Sequence, residues 1–246
     1  VVGLWGEKDD IHKQILEQQF KHRGINTAYM IESGKTPVFG KFYTSDGNHV
    51  FRYDIVSENM TDEKEHVLIK NLETIISRFN LFNFITCADY NNSGIRDMIC
   101  ENTLKPILKA KFPLFATGRK NLDKFEKFDC LILNNKEFIE QSFSELGVVL
   151  GFIKELSIDS LVITSDKGAT VVDNTGLETI SESEFLEGNI DTCGCGDMFY
   201  AMYSSSIMAG YDIKTSLKLA NLVAGIVAKK MFGAAQASID EVVSSL

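Results

Sequence analysis

Short apolar runs alternate with segments of helical period along nearly the whole chain, and that alternation leaves few architectures open. Val1 to Gly6 reads as a buried strand, and Asp9 or Asp10 caps a helix carrying Ile11, Ile15, Leu16 and Phe20, closed by Gly24. A helix from Thr61 to Phe79 leads to a strand from Phe82 to Cys87. A helix with Ile95, Met98, Ile99, Leu104 and Leu108 then leads to a strand from Pro113 to Ala116. Cys130 to Leu133 and Leu161 to Thr164 are further buried strands, separated by helical segments around Phe138 to Phe143 and Val148 to Leu156. A hairpin of Ala169 to Asp173 and Glu178 to Ser181 follows. Next come a buried helix to Gly210, a helix capped by Asp212 with a stripe to Met231 and an end at Gly233, and a last helix opened by the capping box Ser238-x-x-Glu241. The pattern predicts a single α/β domain over residues 1–246. One segment breaks the alternation: Lys41 to Thr44 and His49 to Asp54 flank Ser45-Asp46-Gly47-Asn48. This predicts a hairpin, at about 36–56, that stands off the main sheet.

The stretch Asn189-Ile190-Asp191-Thr192-Cys193-Gly194-Cys195-Gly196-Asp197 carries the most chemistry. Two glycines one residue apart permit a tight turn and leave the amides of Gly194, Cys195 and Gly196 free to meet an anion at the N-terminus of the following helix. A carboxylate there repels a phosphate unless it acts on a neighbouring hydroxyl. Asp197 therefore reads as the base of a phosphotransferase, beside donors for the transferring phosphoryl group; the other reading is a helix-capping aspartate. A dinucleotide fingerprint would need glycine where Phe199 stands, and no Gly-Lys-Ser/Thr loop is present. Upstream, the strand Cys130 to Leu133 delivers Asn134-Asn135-Lys136-Glu137 to its C-terminal end, where open α/β sheets bind ligands. Asn134 and Glu137 can also simply cap the next helix, and Asn221 can be a helix asparagine bonding backbone.

A net charge of −9 and a pI near 5.0 argue against a nucleic-acid protein, although basic pockets can exist locally. Five cysteines without a paired framework suggest free thiols in a reducing, cytoplasmic setting. Cys193-x-Cys195 lacks a second ligand pair, and His12, His22, His49 and His66 share no metal-ligand spacing. No apolar run is long enough to span a bilayer.

Together, Asp191-Thr192-x-Gly194-x-Gly196-Asp197, Asn134-x-x-Glu137 and Thr164 to Gly168 resemble the ribokinase-like (PfkB-type) carbohydrate kinases in order and spacing. Within them the chain is most similar to the heptose 7-phosphate kinases, through Phe51-Arg52-Tyr53-Asp54, Ala88-Asp89-Tyr90, Asn134-Asn135-Lys136-Glu137-Phe138 and Ala220-Asn221 through Phe232-Gly233. The resemblance implies a three-layer α/β/α sandwich with a projecting β lid. It implies ATP and Mg²⁺ as cofactors, a sugar or sugar phosphate as acceptor, no nucleic-acid or membrane partner, and a homodimer through the lid. Asp197 would be the base, and Gly194, Cys195 and Gly196 the anion hole. Asn134 and Glu137 would organise Mg²⁺, and Thr164, Gly168 and Asn221 would line the nucleotide pocket. Asp191 with the Gly233 loop could hold K⁺. Lys41 and Arg52 on the lid, with Arg119, are candidates for a substrate phosphate; Arg52 with Asp54 can equally form an ion pair on the lid.

The chain also departs from those kinases. The loop Asp89-Tyr90-Asn91-Asn92-Ser93 usually continues with glycine and lysine, and Ala116-Thr117-Gly118-Arg119 usually reads Asp-Pro-Lys-Gly, so Arg119 and Lys120 would supply the missing charge. The loop from Thr164 to Gly168 is one residue shorter than usual. The family's first strands, with a sugar-binding aspartate and a Gly-Gly/Asn motif, are expected to precede Val1. The expected function is sugar kinase, with a heptose 7-phosphate-like acceptor. The alternatives are a kinase for another sugar or a nucleoside, and a non-catalytic binding protein that keeps the fold.

Overall fold

The computed structural model describes residues 1–46, 48–55, 60–78, 83–90, 98–140, 146–183, 190–230 and 235–246. Expectations resting on Gly47, Phe79, Phe82, Asn91, Asn92, Ser93, Ile95, Phe143, Asn189, Met231, Phe232 and Gly233 lie outside these residues. The chain forms two compact units. One comprises Val1–Phe42, His49–Phe82 and Asn91–Phe112, and the other Tyr43–Asn48, Asn83–Tyr90 and Pro113–Leu246.

In the first unit, β1 (Val2–Trp5) and β2 (Tyr29–Glu32) pair in parallel across α1 (Ile11–His22). Asp10 caps α1 by accepting the His12 amide at 2.9 Å, and Gly24 leaves it at φ +67. Of the apolar residues expected on α1, Ile11 and Ile15 face outward at 59% and 50% exposure, while Phe20 is half-buried. Lys13 takes the inward position instead, pairing with Glu32 while its ammonium lies 5.1 Å from the Trp5 ring centroid. Two residues along a helix is more than half a turn, so turning Lys13 inward turns residues 11 and 15 out. α2 (Asp62–Ile76) is capped by Thr61 and packs on α3 (Glu101–Lys109). α3 starts later than its apolar pattern suggests, at a cap where Thr103 Oγ1 accepts the Cys100 amide at 3.0 Å. β3 (Val38–Tyr43) and β4 (His49–Ile55) form a two-stranded sheet of their own, as the interrupted alternation predicts.

The second unit is built on a six-stranded mixed sheet. Its strands are β5 (Ile85–Asp89), β6 (Leu114–Gly118), β7 (Cys130–Asn134), β8 (Ser160–Ser165), β9 (Gly168–Asp173) and β10 (Glu178–Glu182), ordered β10-β9-β8-β7-β6-β5. The first four run parallel, and β9 and β10 return antiparallel. The helices are α4 (Asn135–Glu140), α5 (Leu146–Leu156), α6 (Cys195–Met208), α7 (Ile213–Ala228) and α8 (Ile239–Ser244). One core joins Phe115, Cys130, Ile132, Val162 and Val171 of the sheet to Phe199, Tyr203, Leu217 and Ala220 of α6 and α7. The alternate residues Leu131, Leu133, Leu161 and Val172 point to the opposite face and are buried as well. Burial on both faces is why these strands read as unbroken apolar runs.

Candidate active site

Four parallel strands end side by side, and their register aligns Asp89 with Gly118 and Asn134 with Thr164. Tyr90, Arg119, Asn134 and Thr164 therefore sit at the C-terminal edge of adjacent strands, the side on which such sheets bind ligands. α6 begins at the same edge. Gly194 caps it at φ +85, a left-handed conformation that a side chain would strain, and the first regular helical bond runs from Met198 N to Gly194 O at 3.0 Å. The amides of Gly196 and Asp197 precede that bond in the first turn, at the positive end of the helix dipole. The amide of Cys195, one of the expected anion-hole donors, is turned back onto Thr192 O at 3.3 Å. Among the described residues outside its own turn of helix, nothing lies within 4 Å of where a Cβ at Gly196 would stand, which leaves open room beside the helix amides.

Asp197 is the next residue of that first turn. Tyr90 donates its hydroxyl to Asp197 Oδ1, and desolvation raises the carboxyl above the ordinary aspartate range, although the residue as a whole is exposed. Burial, and then the Asp191 charge, push the Cys195 thiol up to about 11. At neutral pH it is therefore uncharged.

Asn134 and Glu137 form a reciprocal cap: Asn134 Oδ1 accepts the Glu137 amide and Glu137 Oε2 accepts the Asn134 amide, each at 2.9 Å. Glu137 Oε1 is also 3.5 Å from Arg119 Nε. Asp191 is buried, accepting the Tyr43 hydroxyl at 2.8 Å and the Cys193 amide at 3.0 Å. Thr164 Oγ1 donates to Leu133 O at 3.3 Å. Asn221 spends its amide on Ser181, at 2.9 Å to the carbonyl and 3.2 Å to the hydroxyl, which ties α7 to β10. Gly168 has φ +128, and a Cβ would come within 2.2 Å of Ser181 O, so both the backbone conformation and the β9–β10 approach require glycine there. On the hairpin, Arg52 pairs with Asp54 and lies 4.8 Å from the Phe39 ring centroid; Lys41 is half-buried on β3.

The profile of the pfkB family carbohydrate kinases matches residues 8–239. The chain belongs to this family. Membership supports an ATP-dependent carbohydrate kinase domain. It is 23% identical over 258 residues to the bifunctional protein HldE of a Nitratiruptor species, covering 98% of this chain and 52% of that protein. Against HldE of Sulfurimonas denitrificans it is 27% identical over 206 residues, covering 78% of this chain and 41% of that protein. The chain thus spans about half the length of the curated relatives it matches. Among solved structures, ribokinase from Giardia lamblia superposes with a TM-score of 0.78 at 15% identity, covering all of this chain and 82% of that one. Arabidopsis thaliana ribokinase complexed with ribose and ATP gives 0.74 at 16%, covering 99% and 80%. Adenosine kinase from Sinorhizobium meliloti gives 0.75 at 16%, covering 98% and 75%. These likenesses establish the ribokinase-like α/β fold expected from the sequence.

Two residues at this strand edge of the pfkB-family chain carry no role in the sequence analysis. Tyr90 stands there only within a family-like tripeptide, and its contact with Asp197 joins residues 107 apart. Lys124, on a 3-10 turn at Leu122–Phe125, pairs with Asp89 at the strand edge where the sequence lacks the usual lysine. Nothing in its local sequence marks it, because the turn between β6 and β7 decides where it points.

Proposed function

We propose that the chain transfers the γ-phosphoryl group of ATP to a hydroxyl of a sugar phosphate, with a heptose 7-phosphate-like sugar as the favoured acceptor. The observation that carries the chemistry is Asp197, a partly desolvated carboxylate at the amide-rich start of α6, beside open room at Gly196. The acceptor oxygen attacks the γ-phosphorus while its proton passes to the Asp197 carboxylate. The bond from the γ-phosphorus to the β–γ bridging oxygen breaks, and ADP leaves. Amides of the first turn of α6 stabilise the charge on the phosphoryl oxygens.

Mg²⁺ fits the chemistry of Asn134 and Glu137: a hard cation of this kind uses one or two carboxylates, waters and phosphate oxygens rather than an all-protein cage. Bound, it neutralises phosphate charge. Glu137, already fixed by its cap, would hold it through water. Thr164, Gly168 and Asn221 border the proposed nucleotide side. For K⁺, Asp191 is the described carboxylate, and its proposed partner loop at Gly233 lies outside the described residues.

The heptose reading is supported by the likeness to HldE proteins. On a chain of net charge −9, a phosphorylated acceptor also needs local cations, for which Lys41, Arg52 and Arg119 are the candidates. The hairpin exposes Phe42, Phe51 and Tyr53 as one ring cluster, an apolar surface suited to a homodimer contact. Five free cysteines suit a reducing cytoplasm. A single domain that includes the hairpin as lid remains the proposed organisation.

The deciding experiment is an ADP-release screen against sugars, sugar phosphates and nucleosides, run with wild type and Asp197→Asn. The expected result is a sugar phosphate as best acceptor and a loss of turnover of ~10²–10⁴-fold in the variant. Comparable turnover in Asp197→Asn would refute the base assignment, and a nucleoside as best acceptor would refute the substrate class.

A further inference from the structure

We propose that Tyr90 positions the Asp197 carboxylate for catalysis, holding one of its oxygens so that the other faces the acceptor, while Arg119 braces the tyrosine ring and links it to Glu137. The inference rests on Asp197 being the base. A carboxylate turns freely about its terminal torsion, which has broad, two-fold wells, so a donor on one oxygen selects its orientation. Tyr90 is that donor, and its hydroxyl reaches Oδ1.

The tyrosine itself is held from two sides. The preceding residue, Asp89, ends β5 and is paired with Lys124. The two side chains are only 11% and 9% exposed, so the backbone that launches Tyr90 is anchored in a nearly dry ion pair. The Arg119 guanidinium carbon lies 5.5 Å from the Tyr90 ring centroid, within cation–π range, and its Nε is 3.5 Å from Glu137 Oε1. Side chains from the ends of β5 and β6, the β7–α4 junction and the start of α6 thus form one line from the proposed nucleotide-side carboxylate to the proposed base. An arginine braced this way has a reason to be at position 119 that does not depend on a substrate phosphate.

Tyr90→Phe tests this, because it removes the hydroxyl and keeps the ring under Arg119. Turnover is measured beside wild type and Asp197→Asn with the best acceptor of the screen, well below every variant's melting midpoint so that the folded fraction is equal. The expected result is a fall in kcat of about five- to tenfold with KM for ATP unchanged, the loss that one displaced hydrogen bond to a reacting group would give. An unchanged kcat overturns the proposal. So does a raised kcat, which would mean that the hydroxyl competes with the acceptor, and so does a raised KM for ATP at constant kcat. If Asp197→Asn retains turnover, the base assignment falls and this inference with it. If Asp197→Asn is inert while Tyr90→Phe matches wild type, only the positioning role falls.

Discussion

Tyr200→Phe is the sharpest test of how the fold holds the candidate base. Tyr200 lies one turn beyond Asp197 on α6 and is 7% exposed; its hydroxyl donates to Phe115 O at 2.8 Å and is 3.2 Å from Cys87 O. It therefore fastens α6 to β6 and β5, the strands whose ends carry Arg119 and Tyr90. Desolvation drives the phenol well above its ordinary pKa, so it remains a neutral donor at all working pH values. A neutral hydrogen bond contributes about 0.5–1.5 kcal/mol net, and phenylalanine removes the one donor that the two carbonyls share without opening a cavity, which predicts a loss of roughly 0.5–1.5 kcal/mol. For a chain of this size that lowers the melting midpoint by roughly 1–6 °C. The assay is thermal unfolding followed by circular dichroism, with kcat measured well below the midpoint. Asp197 is held independently by the start of α6, so kcat should fall only a few-fold. An unmoved midpoint would refute the desolvated two-acceptor bond. A kcat loss beyond about a hundredfold with an unmoved midpoint would mean that Tyr200 acts in the chemistry, which this reasoning denies.

Two further outcomes follow from the same structure. Because desolvation raises the Asp197 pKa, ionising it opposes folding: the penalty is fully present above the folded pKa and disappears as pH falls toward the ordinary aspartate value. Asp197→Asn should therefore melt higher than wild type at pH 7, with the gap closing in acid, while the acid limb of wild-type kcat/KM lies above the ordinary aspartate pKa; a variant that melts lower at pH 7 would contradict both. Gly168→Ala should destabilise by more than about 1 kcal/mol, since it places a side chain at φ +128 and a Cβ 2.2 Å from Ser181 O; a midpoint within 1 °C of wild type in thermal unfolding would show that the β9–β10 approach is not as tight as described.

Local chemistry was legible along the chain wherever the signal was short-range. Gly194-x-Gly196-Asp197 marked a glycine-capped helix start, Asn134-x-x-Glu137 a capped strand end, Asp212 and Ser238 helix caps, and the alternation of apolar runs an α/β fold. These follow from backbone conformation and hydrogen bonding within a few residues, which the sequence determines by itself. The inward face of α1 was not legible. Its periodicity favoured Ile11 and Ile15, and only the presence of Trp5 and Glu32 on adjacent strands made it favourable to bury Lys13. Nor were Tyr90 on Asp197, Lys124 on Asp89 or Tyr43 on Asp191. Each joins residues far apart in the chain, and their meeting depends on strand order, on register and on where a turn releases a side chain. The sequence therefore determined which groups could do the chemistry, whereas the tertiary structure decided which side chains hold them, because side-chain partnership across a sheet edge is a matter of packing that local sequence does not encode.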